Sequence, residues 1–249
     1  MTFQVQEVPV EGILEMVTAE RDAFETPPQP IFKLYCPISN NDRAKTNADT
    51  AAEQQRYVQE SAPNVDVKNI WIKAKATSPG SSEADEELAG AAQWIFTVPG
   101  PNPSLETKIE HLARRHPEGG ARIFAAEAFR ILCECNERHR LSTGPHRPYA
   151  TLGTFFTMPQ YRRRGIGSVL LEWGLRQADE KQMDIWIEAA PSAVSVYERH
   201  GFVQKEVIHL KPRCPDGLSE TVKAEWEAVE KSILPVTAVV MCRLSRLTL

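Results

Sequence analysis

Gln160-Tyr161-Arg162-Arg163-Arg164-Gly165-Ile166-Gly167-Ser168 is the stretch whose reading decides the fold. Tyr149–Met158 before it reads as a strand, and Pro159 ends that strand. The residues after it read as a helix from Gly165 to about Gln182, with a buried stripe of Leu171, Leu175 and Ala178. A strand, a basic turn and two glycines opening a helix have a physical use. The first N–H groups of a helix lack internal partners, and the macrodipole makes that end positive. Glycine lets a ligand approach the backbone, and three arginines add attraction at longer range. The combination suits a phosphate or pyrophosphate. It also reads as a solvated basic turn whose glycines serve helix–sheet packing. No G-x-x-x-x-G-K-[ST] loop is present, and Leu170 stands where the dinucleotide fingerprint needs its third glycine.

Outward from this stretch the chain keeps alternating. Downstream, Ile185–Ala189 reads as a short buried strand, Ser192–His200 as a short helix closed by Gly201, and Val203–Lys211 as a strand. Leu218, Val222, Trp226, Val229 and Ile233 mark a helix before a final strand at Val236–Leu244. Upstream, Phe3–Val8 predicts an opening strand and Ile13–Phe24 a helix, stopped by Pro27-Pro28-Gln29-Pro30. Asn40–Glu60 predicts a largely exposed helix. Val67–Ala76 and Gly90–Val98 read as strands joined by a hairpin loop at Thr77–Glu87. Pro99–Pro148 interrupts the strands with two helices divided at Gly119-Gly120. The class is mixed α/β.

The 249 residues hold 29 Lys+Arg against 33 Asp+Glu, a net charge of −4, which speaks against a nucleic-acid binder held by overall charge. With 42% hydrophobic and 25% charged residues, the chain is that of a folded protein with a sizeable core. Its longest apolar run, Leu234–Cys242, is broken by Pro235 and Thr237 and is far short of the ~20 residues that cross a bilayer. The N-terminal residues lack the pattern of a signal or transit peptide. Cys36, Cys133, Cys135, Cys214 and Cys242 are odd in number and scattered, and Cys133-Glu134-Cys135 lacks C-x-x-C spacing. The expectation is a reduced, cytoplasmic protein with structural thiols, without metal, membrane or nucleic-acid partners.

Arg162-x-x-Gly165-x-Gly167 resembles the R/Q-x-x-G-x-G/A acyl-CoA signature of the GNAT superfamily of N-acetyltransferases. The resemblance runs upstream through Leu152–Pro159. Downstream it reaches Asp184-Ile185-Trp186-Ile187-Glu188-Ala189, then Ala193 to Phe202, where Ala193, Tyr197, Gly201 and Phe202 are similar to the family's A-x-x-x-Y-x-x-x-G-F ending. It covers about a fifth of the chain, and the rest looks similar to fungal members.

The resemblance implies one GNAT domain over residues 1–249. It implies a mostly antiparallel twisted sheet with one splayed parallel pair, flanked by helices, and helical inserts at 99–148 and 213–234. It implies acetyl-CoA as cosubstrate and direct attack by an amine. Backbone amides from Arg163 through Gly165, Ile166 and Gly167 to Ser168, helped by Arg162, Arg163 and Arg164, would hold the pyrophosphate. Main-chain groups of Phe155, Phe156 and Thr157 would pair with the pantetheine arm, and an N–H of that strand would face the thioester oxygen. Tyr197 stands where many members carry the tyrosine that protonates the leaving thiolate and borders the cofactor, though it also reads as a packing aromatic.

The family often places a Glu on the strand before the motif, but Thr151–Thr157 contains no acid. Glu188 is the remaining candidate, as base, water-orienting group or amine binder, or else as a carboxylate paired to an arginine. Asp184 is expected to cap or solvate its strand. Trp71, Trp94 and Trp186 are expected in the core. The leading expectation is an N-acetyltransferase of a small primary amine, acting as monomer or homodimer. A protein or peptide acceptor, a non-catalytic acyl-CoA-binding protein and an unrelated phosphate binder are the other readings.

Overall fold

The computed structural model describes residues 2–61, 67–77, 86–98, 104–144 and 146–245. Seven strands form one mixed sheet: β1 (Thr2–Glu7), β2 (Val67–Thr77), β3 (Glu87–Thr97), β4 (Tyr149–Thr157), β5 (Asp184–Ala189), β6 (Val203–His209) and β7 (Thr237–Arg243), in the order β1-β2-β3-β4-β5-β7-β6. Every neighbouring pair is antiparallel except β4 and β5. That parallel step needs a crossover, supplied by α6 (Ile166–Glu180).

The helices lie on both faces. On one, α6 lays Ile166, Leu170, Leu171, Leu175 and Ala178 against Ile72, Ala92, Trp94, Ile185 and Ile187, and α7 (Val194–Arg199) closes the end of this layer. On the other, α1 (Ile13–Phe24) and α3 (Arg43–Ser61) cover β2–β4 through Trp71, Ala91 and Phe156. The same face over β5–β7 is covered by α2 (Pro30–Tyr35), α4 (Leu105–Ala113), α5 (Gly120–Ser142) and α8 (Glu220–Ile233), around Trp186, Val240 and Cys242. Trp71, Trp94 and Trp186 are all core residues.

The sequence reading places these elements closely, with one omission. The proline cluster after Phe24 reads only as a stop, yet Pro30 opens α2. Proline fits a first helical position, because its fixed φ suits the helix and its missing N–H would have had no partner there. Most of the expected hairpin loop, residues 78–85, and residues 99–103 and 145 of the first insert lie outside the described residues.

Two details of β4 shape the site. Its parallel pairing with β5 lasts for Tyr149↔Asp184, Ala150↔Ile185 and Thr151↔Trp186 only. Beyond that β4 follows β3 while β5 follows β7, so the two strands part. At the parting Gly153 is an extra residue: Gln93 faces Thr154 while Trp94 faces Leu152. A Cβ on Gly153 would sit 2.3 Å from Gln93 Oε1, so a larger residue there would require the Gln93 side chain to move.

Candidate functional site

The turn ahead of α6 is built from its own residues. Pro159–Tyr161 forms a single 3-10 turn, Arg163 takes φ 61°, and Gly165 takes φ 85° as the residue capping α6. The cap supplies no side-chain oxygen to the helix start. Val169 N–H donates to the Gly165 carbonyl, while the amides of Gly165, Ile166, Gly167 and Ser168 have no hydrogen-bond partner among the described residues. A Cβ on Gly165 would meet nothing within 4 Å. The helix start is therefore a row of free donors beside open space, at the positive end of a 15-residue helix.

The three arginines differ in their surroundings. Arg162 donates from Nη2 to the Ala23 carbonyl (2.7 Å) and from Nε to the Thr157 carbonyl (3.3 Å), which ties the turn to α1 and to the end of β4. The Arg164 guanidinium lies 5.6 Å from the centre of the Tyr161 ring, and the Tyr161 hydroxyl donates to Glu87 Oε2 at 2.5 Å.

Past Thr151, the edge of β4 that faced β5 has no strand beside it among the described residues. Phe155, Phe156 and Thr157 lie on this open stretch. Phe155 turns to the α6 face and packs on Tyr197 (ring centres 5.9 Å apart), and Phe156 turns to the α1 face near Phe24 (6.4 Å). Tyr197 packs on Phe202 as well (5.4 Å). Its hydroxyl has no hydrogen-bond partner among the described residues, and burial pushes its acidity well below that of a free phenol. The ring is thus a packing aromatic, and its phenol remains a proton carrier at neutral pH.

Glu188 is held on β5 beyond the parting point. It accepts from the Tyr35 hydroxyl at Oε2 (2.8 Å) and from Asn136 Nδ2 at Oε1 (3.1 Å). Its partners are a tyrosine of α2 and an amide of α5, where the sequence suggested an arginine. Burial and the Glu188 charge both raise the Tyr35 phenol, and burial pushes the neighbouring Cys133 thiol up to about 12 with the same charge adding to it. Asp184 corrects another expectation. It is buried, takes a two-pronged ion pair from Arg147 (2.7 and 2.8 Å) and accepts from the Ser245 amide (2.8 Å), so it anchors the strand instead of meeting solvent.

Sequence reading missed a second carboxylate. Glu20 of α1 is 8% exposed and makes no hydrogen bond or ion pair to the described residues. Burial raises its pKa from 4.5 to about 7, opposed by Thr154, Arg21 and Arg115. The Thr154 hydroxyl is near enough to favour the charged form but makes no hydrogen bond among the described residues. A signal was available: Ile13, Met16, Val17 and Glu20 fall on one helical stripe, so an acid stood in a row of buried apolar positions. Elsewhere Cys135, His139 and Glu206 bring their ligand-type atoms within 4.8 Å of one another, and Arg138 supplies positive charge there, 2.7 Å from Glu206 Oε2.

Free amides at a helix start can hold a phosphate, and an open strand edge can pair with an extended chain. Residues 120–214, from α5 to just past β6, match the family model described as Acetyltransferase (GNAT) domain. This stretch of the chain is thus similar to a GNAT acetyltransferase domain. Its class is that of acyltransferases that use acetyl-CoA, and the free amides and open edge fit that molecule's diphosphate and extended arm.

Similar solved structures share the fold. Arylalkylamine N-acetyltransferase 2 of Aedes aegypti has TM-score 0.63 and 12% identity over 98% of this chain and 99% of that one. The Drosophila melanogaster polyamine N-acetyltransferase that forms N-acetylagmatine has TM-score 0.59 and 12% identity over 98% and 100%. A protein of Corynebacterium glutamicum described as histone acetyltransferase HPA2 and related acetyltransferase has TM-score 0.52 and 19% identity over the whole of both chains. No curated protein sequence matches the chain. Among the described residues no helix is long and apolar enough to cross a membrane.

Proposed function

We propose that the protein is an N-acetyltransferase that moves the acetyl group of acetyl-CoA to a primary amine of a small molecule. The observation that carries this reading is the row of unpartnered amides at Gly165–Ser168 beside a β4 edge that β5 has left open. The amides, with Arg163 and Arg164 nearby and Arg162 bracing the turn, hold the diphosphate. Main-chain groups of Phe155, Phe156 and Thr157 hold the pantetheine arm as an added strand would be held. An N–H of β4 near the Gly153 bulge faces the thioester oxygen and stabilises its developing charge.

Acetyl-CoA supplies a thioester whose carbonyl carbon the amine attacks directly. Tyr197 lends its proton to the departing thiolate. Its raised pKa keeps the phenol protonated and able to donate to the sulfur, and the proton it gives up is made good from the nitrogen. Glu188, fixed by Tyr35 and Asn136, orients the acceptor's ammonium from the opposite face of the sheet to α6. The helical inserts at 99–148 and 213–234 frame that side within a single domain. α5 contributes Asn136, and α8 packs on α5 through Trp226 and Phe124 (5.2 Å). A half-buried carboxylate suits a small ammonium, and two of the structural neighbours are named for arylalkylamine and polyamine acetylation. The free cysteines fit a reducing cytoplasm, where the chain works as a monomer or homodimer.

Thiol release from acetyl-CoA against polyamines, amino acids, arylalkylamines, aminoglycosides and histone-tail peptides tests this. Release with one small-amine class is expected. Release with the peptides alone shifts the acceptor class, binding without release favours an acyl-CoA sensor, and equal affinity for simple nucleotides overturns the reading.

A further inference from the structure

The acceptor amine arrives as an ammonium and must lose a proton before it attacks. Glu188 already accepts one hydrogen bond on each oxygen, from Tyr35 and Asn136, and the reading above gives it the task of holding the ammonium. We propose that Glu20 of α1, beside Thr154 of β4, is the catalytic residue that takes this proton, an assignment that rests on the N-acetyltransferase reading.

Position is the first argument. Thr154 follows the Gly153 bulge on the stretch of β4 from which β5 has parted, and it directly precedes Phe155. Glu20 and Glu188 lie on the same face of the sheet, opposite α6. Between them runs Tyr35-Cys36. The Tyr35 hydroxyl reaches Glu188, the Cys36 thiol feels the charge of Glu20, and Arg21 Nη1 holds the Cys36 carbonyl at 3.1 Å. The two carboxylates thus stand on either side of one short segment.

Unmet hydrogen bonding is the second argument. Glu20 is more than nine-tenths buried without a partner among the described residues. Its oxygens are not among the atoms sealed from solvent, whereas the partnerless Thr154 Oγ1 is sealed. Buried polar groups in a folded protein are rarely left unpaired, and each one costs stability. An ammonium reaching the Glu20 oxygens would give them a donor.

The groups acting on Glu20 are Thr154 on β4, Arg21 on α1 and Arg115 after α4, and the Cys36 thiol after α2 lies within reach of its charge. Burial favours the neutral acid and the two arginines favour the carboxylate. The outcome, about 7, suits a group that accepts a proton and returns it at neutral pH.

The step balances. One ammonium proton passes to the Glu20 carboxylate, and the freed nitrogen lone pair forms the N–C bond at the thioester carbonyl. The C–S bond breaks, and the thiolate takes a proton from Tyr197, which is replenished by the second proton of the nitrogen. Glu20 releases its proton to solvent. Ammonium and thioester become amide, thiol and one proton.

The test compares wild type, Glu20→Gln and Glu20→Asp across pH 5.5–9, with the amine that gives most thiol release and with a separate acetyl-CoA titration. Wild-type kcat/KM for the amine should fall on the acid side of about pH 7. Glu20→Gln should lose 100-fold or more in kcat, keep its acetyl-CoA affinity within twofold, and show a rate that climbs with pH as free amine becomes available. Glu20→Asp should restore part of the rate and the acid limb. A Glu20→Gln enzyme with wild-type kcat and an unchanged limb overturns the assignment. So does a parallel loss of acetyl-CoA affinity, which makes Glu20 structural. Acetyl-CoA binding with no wild-type release from any amine overturns the acetyltransferase reading itself, and the assignment with it.

Discussion

Replacing Glu20 with glutamine should stabilise the protein, and by an amount that depends on pH. In the unfolded chain this carboxyl titrates near 4.5, and in the fold at about 7. Between those values the folded protein keeps a proton that the unfolded chain has released, so unfolding free energy falls as pH rises through the window. Below pH 4.5 both states are protonated and the effect vanishes. Above pH 7 both are charged and the full cost of burying the charge is present. A rise from 4.5 to about 7, at roughly 1.4 kcal/mol per pH unit, comes to about 3 kcal/mol. Glutamine has nearly the same shape and carries no charge, so it escapes this cost.

Urea unfolding followed by tryptophan fluorescence should find Glu20→Gln ahead by about 3 kcal/mol at pH 8, with the gap shrinking to below about 1 kcal/mol at pH 5. Other titrating groups change alike in both proteins and cancel from the difference. A gap that is flat with pH, or a variant less stable than wild type at pH 8, would show that Glu20 is not buried with its charge unmet. A gain in stability together with a loss of turnover is the signature of a strained functional group.

Other substitutions probe other parts of the site. Gly165→Glu should abolish acetyl-CoA binding, because the protein leaves open space there and the added carboxylate would lie where a diphosphate must. Gly165→Asn, which tolerates positive φ, should lose far less affinity by calorimetric titration. Tyr197→Phe should lower kcat on the order of 10- to 100-fold with acetyl-CoA affinity unchanged, and wild-type turnover would remove Tyr197 from the chemistry. Tyr35→Phe removes a hydrogen bond to the Glu188 carboxylate and should raise KM for the amine roughly tenfold while sparing the KM for acetyl-CoA. Gly174→Val should cost at least about 2 kcal/mol in urea unfolding, because a Cβ at 174 would stand 1.9 Å from Trp94 Cε2; unchanged stability would mean α6 lies farther from β3 than described.

The sequence alone determined most of the elements and the turn that we propose holds the cofactor. The turn at 160–168 was legible because its geometry depends on residues a few positions apart: a proline that ends a strand, a glycine at positive φ, and an apolar stripe that starts one turn later. The proline before Ile31 misled for the same local reason, since proline both stops a helix and opens one. What the tertiary structure decided is which groups surround the carboxylates of the proposed acceptor side. Tyr35 meets Glu188 across 153 positions of sequence and Asn136 meets it across 52. Asp184 finds Arg147 37 positions away, and Glu20 owes its raised pKa to the sheet and helices that bury it. Backbone conformation is set by near neighbours, whereas a side chain's partners and protonation are set by whatever the fold packs around it, and no local pattern records that.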